Sequence, residues 1–230
     1  MLTIIEDKPK LVLGAEKWQA APFRFLDNLQ VFEDSISPVP IYTRVAGIAN
    51  IAADTRINLG VTLPAEWEIE LVTRPKLGSF YICQSREADS RITGVSGSQT
   101  GSKINTSCFG VQIDSAIARE LNNRYFIRAT ARAGTLTLYV KNLTTNIEDT
   151  KTGRYTIDSL PQAPLCIFGN TKSNFIDADT VLEYAKITLG NTLAFNLLPV
   201  LDTNNAACFY NKITRQFIYP EVGAVTAILQ

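Results

Sequence analysis

Apolar and polar residues alternate along much of the chain after residue 40, and a period of two is the signature of β-strands. Trp67–Val72 places apolar residues on one side and glutamates on the other, and Gly134–Asn142 alternates in the same way. Phe80–Gln84 and Leu165–Phe168 are continuously apolar, which indicates strands covered on both sides. Ser90–Lys103, rich in Ser, Gly and Thr, predicts an exposed loop or a weak strand pair. Short strands at this spacing predict an all-β, two-sheet antiparallel sandwich.

One segment carries a helical signature instead. Ser115–Leu121 reads Ser-Ala-Ile-Ala-Arg-Glu-Leu, a run with good helix formers that ends before Asn122 and Asn123. The pattern predicts one or two helical turns at this point of the chain.

Residues 1–40 differ from the rest and predict an extended N-terminal arm ahead of a sandwich domain at 41–230. Leu2–Ile5 and Leu11–Leu13 are short strand-like runs, followed by aromatic residues in a stretch punctuated by prolines. Two interpretations stay open: the arm supplies edge strands to its own sandwich, or it docks onto another subunit. In the second case the subunit contacts would be made by Trp18, Phe23, Phe25 and Phe32.

The segment Leu182–Pro220 contains a distinctive succession of strands and turns. Two strand-like runs flank Gly190-Asn191-Thr192 and predict a hairpin. A polar corner, a strand, a turn and a last strand follow, at Asp202–Asn205, Cys208–Tyr210, Asn211–Arg215 and Gln216–Tyr219. This order resembles the C-terminal hairpin block of concanavalin A-like (laminin-G-like) jelly-roll domains, found in bacteriophage virion proteins and in some bacterial surface proteins.

Further segments resemble that family in the family's order, so that the resemblance covers roughly residues 41–225. They are Asp54–Glu70, Phe80–Arg86, Tyr125–Val140 and Pro164–Gly169. The resemblance implies a concanavalin A-like jelly roll and a non-enzymatic phage virion structural protein, either a capsid decoration or a tail or fibre component. Its partners would be other virion proteins and further copies of itself. The alternative is a carbohydrate-binding adhesion module for host-surface or mucus glycans.

The amino-acid composition excludes several classes of binding and catalytic site. The chain has 22 Lys and Arg, 22 Asp and Glu, and no histidine. The balanced charge gives no field toward nucleic acid or an anionic membrane, and His-based triads and imidazole metal sites are excluded. We expect no cofactor, no signal peptide and no transmembrane segment, and therefore a soluble protein made in a host cytoplasm. The four cysteines, Cys83, Cys108, Cys166 and Cys208, lie in or beside apolar runs and are predicted to be buried thiols.

Two acidic patterns raise the question of catalysis or metal binding. Glu66, Glu68 and Glu70 resemble the E-x-D-x-E strand of jelly-roll glycosidases, whose nucleophile and acid lie about 5–5.5 Å apart. The central residue is Glu rather than Asp, so we expect a solvated strand face and no enzyme. Asp177–Asp179 and Asp202–Asn205 are acidic loops that calcium would favour, but turn capping accounts for them better.

Glycan binding on a sandwich would use aromatic ring faces together with amide and carboxylate groups. The sequence offers several candidates without selecting one site, and at strand spacing most of the tyrosines are expected to pack with the hydroxyl at the rim. The candidates are Tyr81, Tyr125, Tyr139, Tyr155, Asn122 and Asn123.

Overall fold

The computed structural model falls into two units, Met1–Arg44 and Val45–Gln230. It describes residues 41–52, 54–75, 81–86, 92–97, 103–120, 122–157, 160–169 and 180–229, together with the backbone of three strands nearer the N-terminus. Every regular element in these residues is a β-strand. In this part of the chain there is accordingly no helix with the length and hydropathy to span a membrane.

The first unit contains a small antiparallel sheet of its own. Its strands are β1 (Leu2–Ile5), β2 (Lys10–Leu13) and β3 (Glu16–Lys17), in that order, and β4 (Thr43–Arg44) follows later. The two strand-like runs predicted in this region are therefore strands. Trp18, Phe23, Phe25 and Phe32 lie outside the described residues, so their role in subunit contacts stays a prediction.

The second unit is the predicted sandwich of two antiparallel sheets. The smaller sheet has the order β11-β10-β9-β8-β15-β6, and its strands are β6 (Ile57–Asn58), β8 (Tyr81–Arg86), β9 (Ile92–Gly97), β10 (Lys103–Cys108), β11 (Val111–Ala118) and β15 (Cys166–Ile167). The larger sheet has the order β14-β13-β12-β7-β16-β17-β18-β19, and β5 joins it beside β16, with β20 beyond β5. Its strands are β5 (Gly47–Asn50), β7 (Trp67–Arg74), β12 (Tyr125–Arg132), β13 (Thr135–Asn142), β14 (Ile147–Arg154), β16 (Val181–Leu189), β17 (Thr192–Leu201), β18 (Ala207–Asn211), β19 (Gln216–Ile218) and β20 (Val225–Ile228).

Strand β7 shows how the alternating pattern builds the core. Trp67, Ile69 and Leu71 are fully buried and point between the sheets, whereas the intervening glutamates are partly exposed on the other side. Ile69 lies opposite Ala129 of β12 and Ile187 of β16, both buried. Each fully buried large apolar side chain contributes about 1.5–3 kcal/mol. The predicted alternation of Trp67–Val72 is confirmed.

The smaller sheet confirms both continuously apolar strands. Buried residues occupy successive positions of β8 at 82–85 and both positions of β15. Within the Ser-, Gly- and Thr-rich segment, residues 92–97 form strand β9, which pairs with β10, and Thr93, Val95 and Ser96 are buried. Residues 98–102 lie outside the described residues. Small side chains therefore belong to a covered sheet at this position.

The predicted helix at Ser115–Leu121 is wrong. Residues 111–118 form strand β11, which pairs with β10 and buries Ser115 and Ile117 while Ala116 and Ala118 stay exposed. The alternation of Ser115 and Ile117 with alanines is compatible with a strand as well as with a helix. Pairing with β10 and burial of Ile117 decide the matter, since tertiary contacts outweigh a weak local propensity.

The C-terminal block folds as predicted. Strands β16 and β17 form a hairpin at Gly190, which has a φ of 59°, and β18 and β19 are joined through residues 212–215. Asn211 organises that second turn, because its Oδ1 accepts hydrogen bonds from the backbone N–H groups of Asn196 (3.0 Å) and Ile213 (3.1 Å). Strand β20, which no pattern indicated, pairs with β5.

All four cysteines are buried free thiols, as predicted. Burial raises the pKa of Cys83 strongly, that of Cys108 to about 12, that of Cys166 to about 11 and that of Cys208 to about 12. These groups remain neutral and pack as small apolar side chains.

Candidate functional site

The outer face of the larger sheet, which we define as the side turned away from the core on β13, β12, β7 and β16, concentrates aromatic and charged side chains. Strand register sets Tyr139, Arg128, Glu70 and Lys186 next to one another in a row across these four strands. None of these four side chains is buried. Four adjacent strands therefore place a phenol, a guanidinium, a carboxylate and an amine side by side on one face of the sheet.

Aromatic rings lie beside this row. The ring of Phe126 meets that of Tyr139 edge-on, with centroids 6.0 Å apart and an interplanar angle of 65°. The guanidinium carbon of Arg128 lies 5.5 Å from the centre of the Phe126 ring, and the amine of Lys186 lies 5.7 Å from that of Tyr184. These distances are within the range of cation–π attraction, so charge and ring hold each other in place.

Glu70 accepts hydrogen bonds from side chains of both neighbouring strands. Its Oε2 accepts a hydrogen bond from Arg128 Nε at 3.1 Å, and its Oε1 accepts one from the Tyr184 hydroxyl at 3.2 Å. Burial is the main cause of a raised pKa at Tyr184, so this hydroxyl stays protonated and donates. Both oxygens of the carboxylate are thus engaged by neighbouring strands.

A β-bulge in β16 places a second carboxylate on the same face. The register with β7 skips one residue between Leu182 and Tyr184, so Glu183 and Tyr184 both point outward. The Glu183 side chain is only 7% exposed and lies between two arginines, with Arg74 Nε at 2.6 Å and Arg124 Nε at 2.5 Å. The bulge therefore adds a charged side chain without removing a core residue.

Tyr139 forms the β13 end of the row. Its hydroxyl donates to Glu148 Oε2 on β14 at 2.7 Å, and this bond is the main cause of its raised pKa. Lys141 Nζ lies 3.7 Å from the same oxygen. The hydroxyl is anchored at one side, and the partly exposed ring lies on the outer face.

Of the glycan-contact candidates whose side chains the structure describes, only Tyr139 is placed on this face. Tyr125 is buried in the core, and its hydroxyl accepts from Glu120 N at 2.8 Å. Tyr155 is also buried, stacked on Phe109 at 5.7 Å, and donates to Ala65 O at 3.0 Å. Both tyrosines pack in the interior, and each hydroxyl bonds a backbone group.

The other candidates are elsewhere. Asn122 adopts a positive φ of 64° near the start of β12, and Asn123 Nδ2 donates to Glu120 Oε2 at 2.6 Å. The side chain of Tyr81 lies outside the described residues. Phe126, Arg128 and Tyr184 were missed. For Phe126 and Arg128 the signal was present in the alternation, because each sits one position from a buried residue on a strand whose other face forms the core. The position of Tyr184 follows from the bulge.

The glutamates of the glycosidase-like pattern share this side of β7, and each has its own hydrogen-bond partner. Glu66 is exposed just before β7 begins, and its Oε1 accepts from Ala133 N at 3.2 Å. Glu68 Oε2 accepts from Thr130 Oγ1 at 3.3 Å. Each carboxylate thus bonds a different group of the β12 strand or the turn that follows it.

Asp202 caps its corner, as predicted. Its Oδ1 accepts from the backbone N–H groups of Asn204 (2.8 Å) and Ala206 (2.9 Å), and its Oδ2 accepts from the Tyr219 hydroxyl at 2.7 Å. Asp177 and Asp179 lie outside the described residues. Within those residues, no group of three or more His, Cys, Asp or Glu side chains is arranged to hold a metal ion.

Comparison with known proteins supports the fold through structure alone. No family model and no curated protein sequence matches the chain. Among solved structures, a carbohydrate-binding candidate from Bacteroides ovatus superposes with a TM-score of 0.57 at 11% identity, over 80% of this chain and 60% of that protein. The LG1-3 region of the laminin alpha2 chain superposes with a TM-score of 0.50 at 10% identity, over 86% of this chain and 37% of that one.

A tailspike protein of an Escherichia coli O157:H7 bacteriophage superposes with a TM-score of 0.47 at 13% identity, over 70% of this chain and 26% of that one. This likeness is too weak to carry an argument. The chain spans less than two thirds of each of these proteins. At such identities the comparisons show the fold, and the fold is a concanavalin A-like, lectin-like jelly-roll sandwich.

Proposed function

We propose that this chain is a non-enzymatic carbohydrate-binding module and that the outer face of its larger sheet is the binding surface. The observation that carries the proposal is the grouping of Phe126, Tyr139 and Tyr184 on one face, interleaved with Arg128 and Glu70. Sugar rings have apolar faces that stack on aromatic rings and hydroxyls that pair with planar polar groups. The outer face supplies both kinds of contact within four adjacent strands.

Preorganisation favours binding at this surface. Arg128 is already held between the Phe126 ring and Glu70, so little side-chain entropy remains to be lost when a ligand binds. The ion pair with Glu70 leaves part of the guanidinium accessible, since the Arg128 side chain is 49% exposed. Tyr139 is partly exposed. The structural likeness to a carbohydrate-binding candidate from Bacteroides ovatus also supports this function.

The proposal includes the absence of catalysis. A glycosidase of this strand type needs one carboxyl group as acid and another as nucleophile, both directed at the sugar. Here Glu70 is neutralised by Arg128 and bonded by Tyr184, whereas Glu66 lies exposed just before the strand begins and bonds Ala133 N. These engagements support a positioning role for Glu70.

A glycan array followed by calorimetry tests the proposal. We expect Tyr139→Ala and Tyr184→Ala each to weaken binding of any glycan identified by about tenfold, the equivalent of one lost ring contact. Tyr219→Ala removes an exposed tyrosine elsewhere on the domain and serves as the matched control. Tyr139→Phe should retain stacking and most of the affinity. Binding that is insensitive to both face variants, or no glycan binding at all, would overturn the assignment.

A second candidate is a structural subunit of a phage virion, either a capsid decoration or a tail or fibre component. The observation that favours it is that Met1–Arg44 forms a separate unit with its own three-stranded sheet, a suitable docking segment for a neighbouring subunit. The order of strand motifs in the sequence, which resembles virion jelly rolls, also supports it.

Mass spectrometry of purified phage particles tests this second candidate. We expect the full chain to co-purify with particles, and a variant with Trp18, Phe23, Phe25 and Phe32 replaced by alanine to be lost from them. If the chain is absent from purified particles, the virion role is wrong. The glycan array would be unaffected by that outcome, so the two candidates are tested separately.

A further inference from the structure

Strand β14 is a long and regular strand at the edge of the larger sheet. It forms an unbroken register with β13 over eight residue pairs, from Thr135–Arg154 to Asn142–Ile147, without a bulge. The strand contains no proline, and β13 is the only strand with which it is paired in the part of the chain that the structure describes. Long regular edges of this kind invite a further strand.

The neighbouring edge of the smaller sheet is strand β11, and one of its backbone amides is already bonded to a side chain. Asp149 of β14 reaches across to β11, where its Oδ2 accepts the Ala116 N–H at 2.7 Å. This bond occupies a backbone amide of the edge strand β11, which is then not available to a further strand. Within the described residues, the far edge of β14 is paired with no further strand.

The two faces of β14 are defined by its partner strand. Asp149 lies opposite Val140 and Lys151 opposite Leu138, both buried, so these two charges share the core side. Thr150 lies opposite Tyr139 and therefore belongs to the outer face. Lys151 Nζ is 3.6 Å from Asp149 Oδ1, which places both charges beside each other along the edge.

The charged side chains of β14 favour pairing with a second copy of the same strand, and they favour one register of that pairing. In an antiparallel pair of β14 strands, a twofold axis perpendicular to the sheet keeps each face on its own side. An axis at Asp149 would set Asp149 against Asp149, and an axis at Lys151 would set Lys151 against Lys151. An axis at Thr150 instead sets Asp149 of each copy against Lys151 of the other, twice. Opposite charges directly across a strand pair are favourable, whereas like charges are not.

We propose that two copies of this chain dimerise by antiparallel pairing of β14 with β14, with Thr150 facing Thr150 across the twofold axis. The larger sheets of the two copies then form one continuous sheet. Because the axis preserves the faces, both outer faces look the same way. If the proposed glycan site is correct, the dimer presents two such sites side by side and gains avidity. The dimer itself does not depend on that function.

Sedimentation of the full chain over a range of concentrations tests the charge selection. We expect a monomer–dimer equilibrium, and we expect Lys151→Glu to raise the dimer dissociation constant at least about tenfold, because it sets a carboxylate opposite Asp149. Lys103→Glu makes the same charge change at an exposed position on β10 and should leave the dimer intact. A monomer at about 100 μM, or a dimer that Lys151→Glu does not weaken, overturns the proposal.

Cross-linking tests the register itself. Residues facing each other in an antiparallel pair have Cβ atoms about 4.5–5.5 Å apart, so Thr150→Cys should join two copies under mild oxidation or with a short bismaleimide. Thr152→Cys is the matched control on the same exposed face, but in the proposed register it faces Glu148 and lies four residues from its own counterpart. Equal cross-linking of the two variants, or none of Thr150→Cys, contradicts this register.

Discussion

The carboxylate of Asp149 on β14 accepts the backbone N–H of Ala116 on β11 at 2.7 Å, and so it ties the edge of the larger sheet to the edge of the smaller one. The Ser115 hydroxyl donates to the same oxygen at 3.2 Å and accepts from Ile117 N at 3.1 Å. The two edge strands also pack against each other here, because a Cβ at Gly153 would lie 3.6 Å from Val111, an ordinary van der Waals contact. The Asp149 side chain thus links the edges of the two sheets at this end of the sandwich.

We expect Asp149→Ala to lower the free energy of unfolding by about 1–3 kcal/mol, because a charged acceptor is lost from an otherwise satisfied amide. Denaturant unfolding measures the change. Asp114→Ala is the control, since Asp114 is exposed on β11 and its Oδ1 accepts from the Gln112 side chain. It should change the free energy of unfolding by less than about 0.5 kcal/mol. Equal losses for the two variants would contradict a special role for the link between the sheets.

Stability should fall with acid because two carboxyl groups have lowered pKa values. At Asp149, burial acts to raise the pKa, but the hydrogen bonds from Ala116 N and Ser115 Oγ and the charge of Lys151 outweigh it. At Asp202, the bonds from the Tyr219 hydroxyl and Ala206 N lower the pKa. Both folded values lie below the unfolded value of about 3.9, so the stabilisation is complete above that pH and is lost below it.

Unfolding measured between about pH 2 and 7 tests this sign. The free energy of unfolding should decline below about pH 4, and Asp202→Asn should make the decline shallower. A variant that declines as steeply as the wild type would show that Asp202 is not one of the groups responsible.

The four thiols should be unreactive in the folded protein. Burial raises the pKa of Cys166 to about 11 and that of Cys108 to about 12, and the thiolate is the reactive form. At pH 8 we expect Ellman's reagent to titrate four thiols per chain in denaturant and almost none without it. Rapid reaction of the native protein would mean that one of the cysteines is accessible.

Gly94 should tolerate no side chain. It has a φ of 128°, and a Cβ there would lie 2.3 Å from Cys83 O and 2.7 Å from Gln84 Cα on the neighbouring strand. We expect Gly94→Ala to cost at least about 2 kcal/mol. Gly190→Ala provides the comparison, because a Cβ at Gly190 has nothing within 4 Å and only its positive φ is strained, a cost of about 1 kcal/mol. Thermal melts of both variants would reveal the difference, and similar losses would count against the steric argument.

Much of the fold was predictable where a residue's own pattern decides its place. The alternation around Trp67 fixed which side of β7 is buried, and the Gly190 turn fixed the β16–β17 hairpin. The helix at Ser115–Leu121 was wrong because β10 offers a partner that the local sequence does not reveal. The arm contacts of Trp18, Phe23, Phe25 and Phe32 stay predictions.

The candidate site was less predictable than the fold. Tyr125 and Tyr155 have the residue type of a glycan contact, but both point to the interior. Phe126 and Tyr184 become neighbours of Tyr139 and Glu70 through strand order and, for Tyr184, through the bulge at Glu183. A bulge shifts the facing of every later residue on its strand, and a period of two cannot show where it occurs.

The sequence alone determined that this is an all-β sandwich, because hydrophobic burial acts on alternate residues and leaves its period in the chain. It also determined buried thiols and a chain without histidine chemistry. Only the tertiary structure decided that Tyr139, Arg128, Glu70 and Lys186 share one row, and that Asp149 of β14 bonds Ala116 of β11. Those relationships join residues up to 116 positions apart, as in Glu70 and Lys186, and depend on which strands pair rather than on any local pattern.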